Sequence, residues 1–324
     1  MMSIVNAPGH AGTCCTAHRQ EDLVGARETH QVRISYELFP PRRPEQAESV
    51  WDVVRELVAT SPRCLSITYP STASGRAASR ELVARVLTET TVPPVAHLTV
   101  VGASRAELVA RVRALLAAGV RDFLALRGDP EPGRSWQPHP DGLDFATDLV
   151  RLIRSVERGA RAAGDIEGPV SVGCAVYPHA HGENRFRELV AMRAKQEAGA
   201  DFAITQVFYD VREYVALVRE APSAGVSIPI VPGIIPLTDP GRLTRLAGLT
   251  GVELPRALRE LLDVSDPDER FHRAVIATAD LAQGAIDAGA PGAHVFSFNQ
   301  AGPAVALWEE LRRRGLIADG SSMP

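Results

Sequence analysis

Four groups of polar residues close short apolar segments instead of sitting on a helix face, and their types could do chemistry: Glu37, Arg127-Gly128-Asp129, the cluster Tyr177, His179 and His181, and Gln206. Glu37 lies in the run Ser35-Tyr36-Glu37-Leu38-Phe39. Side chains alternate along a strand, so Tyr36 and Leu38 packed outward would turn the carboxylate inward. Burial raises a carboxyl pKa, and an acid that keeps its proton near neutrality suits general-acid catalysis. The competing reading is an ion pair with an interior Arg or Lys.

Arg127-Gly128-Asp129 sets a cation, a backbone open to close approach and an anion side by side, a combination able to read a ligand. A strand-end turn with a solvated salt bridge explains it equally well. Tyr177, His179 and His181 follow an apolar segment. The two histidines at i, i+2 invite a metal, but no Cys or third His is patterned nearby, and Tyr and His equally suit stacking on a planar cofactor and bonding its phosphates. Gln206 offers an amide donor and acceptor for a heteroaromatic edge, or for loose backbone groups. Thr68-Tyr69, His97 to Thr99 and Asn299-Gln300 occupy comparable segment ends.

The elements that must position these groups repeat. Short β-prone segments at 33–38, 63–68, 95–100, 121–126, 170–176, 201–206, 228–234 and 293–298 alternate with Ala/Leu/Arg/Glu-rich stretches such as ESVWDVVRELVA and SRAELVARVRALLAAG, whose apolar residues recur three and four apart. Eight strands each followed by a helix predict right-handed crossovers and a parallel sheet closed into a (β/α)₈ TIM barrel, with a doubly wound open sheet as the alternative. Gly after AA or EA marks helix ends. The stretch 238–290 is long for one βα unit and predicts extra helices, one starting after Ser265-Asp266-Pro267. In such barrels reactive groups lie at the C-terminal strand ends, where the four groups fall. Residues 1–31 read as a flexible extension, 32–316 as the catalytic barrel and 317–324 as a flexible tail.

Composition removes several classes. Thirty-five Lys plus Arg against 39 Asp plus Glu gives a net charge of −4, with no basic excess for nucleic acid. No apolar run approaches the ~20 residues that span a bilayer and no leader pattern opens the chain, so a cytoplasmic protein without a membrane partner is expected. Cys14, Cys15, Cys64 and Cys174 show no CxxC or metal-ligand spacing and are expected to be free thiols. Neither GxGxxG at a strand–helix junction nor GxxxxGK[ST] occurs, so any nucleotide must be held by barrel loops.

Seven motifs in order, SYELFPPR, LSITYPS, HLT, LALRGDPEPG, VYPHAHGE, GADFAITQVFYD and VPGIIP, resemble those of the methylenetetrahydrofolate reductases over roughly Ile34 to Asn299. The resemblance implies a barrel that binds FAD non-covalently, is reduced by NADH or NADPH as co-substrate, and passes hydride to 5,10-methylenetetrahydrofolate in a ping-pong cycle. It implies Glu37 as general acid, Asp129 as a carboxylate near both flavin and pterin, and Gln206 as an amide shared by pterin and nicotinamide. Thr68, Tyr69, His97, Arg127, Gly128, Ala146, Tyr177, His181 and Lys195 match cofactor-contacting positions, Lys195 suiting the phosphates. Arg242 and Gln300 match positions facing the folate's glutamate tail.

The chain also departs from the pattern. His179 replaces an acid, Ala191 and Ala194 stand where Asn and Arg are frequent, and Phe296 and Gln300 stand where Tyr and Arg are frequent. Loss of that Arg removes a tail partner that Arg242 could replace. Two further classes stay open: a partner-dependent or flavin-independent one-carbon-folate barrel, and a phosphate-binding lyase or isomerase. The last needs a Schiff-base lysine, and Lys195, the only lysine, falls in a helix. A homo-oligomer is compatible with all of these.

Overall fold

The computed structural model describes residues 32–129 and 135–317. The extension expected over 1–31 and the tail over 318–324 lie outside the described residues. Ile317, which the sequence assigns to the tail, is buried and bridges Val32.

Every strand pairing is parallel, and the order is β7-β6-β5-β4-β3-β2-β1-β9-β8. The strands are β1 (Arg33–Leu38), β2 (Leu65–Ile67), β3 (Pro94–Thr99), β4 (Asp122–Leu126), β5 (Ser171–Val176), β6 (Phe202–Thr205), β7 (Ile230–Val231), β8 (Gly233–Ile234) and β9 (Gly292–Phe296). Eight strands are expected and nine segments are found, because the seventh divides at Pro232. Proline has no N–H to give a ladder. Its carbonyl still accepts from the His294 N–H at 2.9 Å. The half before it pairs with β6 and the half after it with β9, so the two ends of the order meet at one broken strand and the barrel closes.

Helices follow each strand: α1 (Ala47–Val58), α2 (Ala73–Glu89), α3 (Arg105–Ala117), α4 (Ala146–Ala162), α5 (Gly182–Glu197) and α6 (Val211–Glu220). The extra helices expected in 238–290 are α7 (Pro240–Thr250), α8 (Arg256–Leu262) and α9 (Pro267–Asp287), and α10 (Ala301–Arg313) completes the ring. Local chemistry sets their ends. Ser104 and Glu107 form a reciprocal capping box at α3, and Asp266 accepts from the Asp268 and Glu269 N–H groups ahead of Pro267 at α9. Gly119 and Gly199, at φ +101 and +108, take the left-handed conformation that returns the chain toward β4 and β6.

The inward stripe of α1, Val50, Trp51, Val54 and Leu57, shows how each helix buries one face against the barrel. A separate plug of Cys64, Val95, Leu124, Phe202 and Ile204 fills the barrel floor. No helix among the described residues is long and apolar enough to cross a membrane. The expectation of four free thiols needs correction at Cys64, which is disulfide-bonded, while Cys174 is free and buried; Cys14 and Cys15 lie outside the described residues.

Candidate active site

Above the apolar plug the interior turns polar. Tyr36 and Leu38 are fully buried in the layer between barrel and helices, Tyr36 sharing a hydrogen bond with Thr60 Oγ1 at 3.0 Å. The side chain between them therefore points inward. Glu37 Oε2 lies 3.8 Å from His97 Nε2 and 3.8 Å from His294 Nε2, with 13% of its side chain exposed. No Arg or Lys among the described residues is within ion-pair distance of it, so the interior ion pair weighed from sequence is not what holds this carboxylate.

Each histidine is tied to a serine on an adjacent strand. His97 Nε2 and Ser66 Oγ are 2.6 Å apart, and His294 Nδ1 and Ser35 Oγ are 2.8 Å apart. All four residues are buried. Burial pushes His97 down to about 4, with His294 adding to the shift and Glu37 opposing it, so its imidazole is neutral at physiological pH. His294, Ser35 and Ser66 were not singled out by sequence. The available signal was strand alternation: in HVFSFNQ, His294 stands two and four residues before Phe296 and Phe298, on one face of β9 and its continuation.

The rim beside Glu37 is clamped by Asn299, whose Oδ1 accepts from the Phe39 N–H and whose Nδ2 donates to the Phe39 carbonyl, both at 2.8 Å. Ser297 Oγ donates to the Glu37 carbonyl at 2.5 Å. Phe298 and Asn299 have φ of +52 and +55, a conformation costly for phenylalanine that persists where surroundings enforce it. The Phe298 ring packs 5.6 Å from Phe39 and beneath the Arg242 guanidinium at 4.9 Å.

The other expected residues fall on the same rim. Thr68 and Tyr69 follow β2, and the Thr68 Oγ1 and Tyr69 OH are buried without a partner, Arg111 lying 5.7 Å from the Tyr69 ring centroid. Arg127, Gly128 and Asp129 follow β4, Arg127 stacking on Trp136 at 5.3 Å. Tyr177, after β5, is raised by burial, then by Glu188 and Asp129, while Arg127 opposes, which ties the β4 and β5 loops together. Its ring meets His179 edge-on at 6.0 Å, and the His179 Nδ1 is buried without a partner. His181 caps α5 in the open, 4.0 Å from Glu213, and Ala146 begins α4.

Two expected contacts are otherwise engaged. Lys195 Nζ donates to the Ala175 carbonyl at 2.8 Å, and the Gln206 Oε1 accepts from the Val207 N–H at 2.8 Å. Among the described residues no group of three or more His, Cys, Asp or Glu is placed to hold a metal ion.

Comparison with known proteins places this geometry. The family model described as methylenetetrahydrofolate reductase matches residues 23–312. The 5,10-methylenetetrahydrofolate reductase of Escherichia coli K12 is 29% identical over 285 residues, covering 87% of this chain and 91% of that protein. The enzyme of the same name from Pectobacterium carotovorum is 29% identical over 293 residues, covering 89% and 93%. Among solved structures, an uncharacterized Clostridium thermocellum protein that binds two copies of 5-methyl-5,6,7,8-tetrahydrofolic acid shares the fold at a TM-score of 0.59 and 15% identity, covering 88% of this chain and 96% of that one. A family model that runs from before the first strand to the end of the last helix makes this chain an oxidoreductase of the methylenetetrahydrofolate reductase family.

Proposed function

We propose that this chain reduces 5,10-methylenetetrahydrofolate to 5-methyltetrahydrofolate at the expense of NADH or NADPH, with FAD as hydride carrier and Glu37 as general acid. The observation that carries the reading is Glu37 itself, a carboxyl group inside the barrel mouth with two imidazoles and, among the described residues, no Arg or Lys beside it. A carboxyl group without a cationic partner is free to hold a proton and release it to substrate. Protonating a ring nitrogen of the folate opens its five-membered ring to an iminium, whose exocyclic carbon then accepts hydride.

Asp129, on the adjoining rim, stabilises the positive charge that develops on the opened folate. Gln206 turns its amide from the Val207 N–H to the pterin or the nicotinamide, and Arg242 with Gln300 receives the glutamate tail. For FAD, the fit is best at the ring end: the buried unpartnered Thr68 Oγ1, Tyr69 OH and His179 Nδ1 are polar groups that a bound heterocycle would satisfy. His97, Arg127, Gly128, Ala146, Tyr177 and His181 line the same strand ends, and Lys195 is the phosphate-side cation. When bound, FAD supplies reversible hydride acceptance, and the protein supplies orientation and charge.

A second reading, direct hydride transfer from nicotinamide to folate without flavin, is favoured by one specific observation: Lys195 is already bonded to the Ala175 carbonyl, and alanines occupy 191 and 194 beside it. The absorbance spectrum of the purified protein, followed anaerobically through NADH or NADPH and then methylenetetrahydrofolate, separates the two. Flavin bands that bleach and return support the carrier. A colourless protein that oxidises nicotinamide only when folate is present supports direct transfer and removes FAD.

A further inference from the structure

The His294 Nε2 is a buried polar atom with no hydrogen-bond partner, on a residue 1% exposed, and it faces Glu37 Oε2 across 3.8 Å. A buried orphan of this kind costs free energy unless some state of the protein uses it. Glu37 and His294 do not adjoin in sequence. They meet because β1 and β9 pair in parallel with Ser35 opposite His294, which sets the imidazole two residues below the carboxylate, on the same inward face, and beside the serine that holds it.

The hydroxyl decides which nitrogen carries the hydrogen. Ser35 is buried, and its Oγ has one hydrogen-bond partner among the described residues, His294 Nδ1 at 2.8 Å. If Nδ1 carried the hydrogen, the Ser35 O–H would be left buried with no acceptor. Satisfying that O–H makes Nδ1 the acceptor and puts the imidazole hydrogen on Nε2, aimed at Glu37. The same reasoning at Ser66 makes His97 Nε2 the acceptor of the Ser66 O–H, so His97 cannot donate to Glu37 from that atom. The two histidines are equidistant from the carboxylate, and only one of them can donate to it.

We propose that His294 is the positioning residue of Glu37: its Nε2–H, oriented by Ser35, closes on the carboxylate oxygen left when Glu37 gives its proton to substrate, and so sets the strength of the acid. This rests on the reading of Glu37 as general acid. Among the described residues, the ionisable groups within ion-pair distance of Glu37 are His97 from β3 and His294 from β9, with the Ser66 hydroxyl of β2 between the strands. Ring orientation is further fixed by Phe296, edge-on to His294 at 5.3 Å and 89°.

The test is a carbon-13 NMR titration of the Glu37 carboxyl in the ligand-free protein, assigned by loss of its signal in Glu37→Gln. It is run on wild type, His294→Leu, which has no donor, and His294→Gln, which keeps an N–H. The titration midpoint should rise by about one pH unit or more in the leucine variant, a tenfold or greater weakening of the acid. It should return most of the way in the glutamine variant, and the acid-dependent limb of the folate-reduction pH profile should move with it. An unchanged midpoint in a folded leucine variant, or equal midpoints in the two variants, overturns the inference. Should Glu37→Gln retain full folate reduction, the general-acid reading fails, while the carboxyl titration still decides whether His294 acts on Glu37.

Discussion

Arg242 donates from Nη1 to the Gln300 Oε1 at 2.9 Å, joining the first turn of α7 to the N-cap of α10 across 58 residues of chain. The glutamine thus orients a cation carried by a different helix. Asp239 holds the other side of the guanidinium at 3.4 Å, and the Phe298 ring lies beneath it. With Arg242→Ala, the Michaelis constant for methylenetetrahydrofolate should rise about tenfold, as for loss of one partly exposed charged contact. The maximal rate should stay near wild type. An analogue without the glutamate tail should bind both proteins alike, and a constant that does not move removes Arg242 from tail recognition.

Glu37→Gln keeps the shape and loses the proton. Folate reduction should fall by roughly 10²–10⁴, the usual contribution of a positioned acid, with the thermal midpoint little changed. Steady-state rates beside a melting curve suffice to check it, since a large drop in midpoint would assign Glu37 to stability instead.

His97 predicts a pH dependence of stability. Its folded pKa of about 4 lies below the ordinary histidine value of about 6.5, chiefly through burial. As pH falls through that window the unfolded chain binds a proton before the folded one does. Stability is therefore lost from about 6.5 down to about 4, by up to about 1.4 kcal/mol per pH unit. Urea unfolding at pH 7 and pH 5 should show wild type losing about 1–2 kcal/mol more than His97→Gln between the two. Equal losses would mean that His97 takes its proton in the folded state.

Gly233 lies where β8 meets the barrel interior. A Cβ there would sit 2.2 Å from the Thr205 carbonyl oxygen and 2.7 Å from the Phe296 ring, and the backbone atom cannot turn aside. The Gly233 N–H also donates to Thr205 Oγ1 at 2.8 Å. Gly233→Ala should cost roughly 3 kcal/mol, seen as a large drop in denaturation midpoint or as insoluble expression. A soluble variant with a wild-type midpoint would show that β6 and β8 can part without consequence.

What sequence alone discloses here follows from the range of each interaction. Strand and helix periods, the Asp266-Pro267 cap and the glycines after α3 and α5 are local, and all were legible. Glu37 pointing inward followed from alternation. The division of the seventh strand was half legible: Pro232 is visible, but that its two sides serve different neighbours depends on closure. The pairs Ser35–His294 and Phe39–Asn299, 259 and 260 residues apart, carry no local signal. Lys195 and Gln206 show the remaining limit, for their positions were legible and their present hydrogen-bond partners were not.

The long clamp from Phe39 to Asn299 also orders events in time. Glu37 leaves the ribosome before its partners, and the histidine and asparagine that complete its surroundings leave more than 250 residues later. At about 5–20 residues per second that is an interval of tens of seconds. Through it, the carboxylate stands in an unclosed half-barrel without the β9 side of its setting. A nascent chain can thus build helices and most of the sheet before the surroundings of Glu37 are complete, and the final strand finishes that pocket as well as setting the last stave of the barrel.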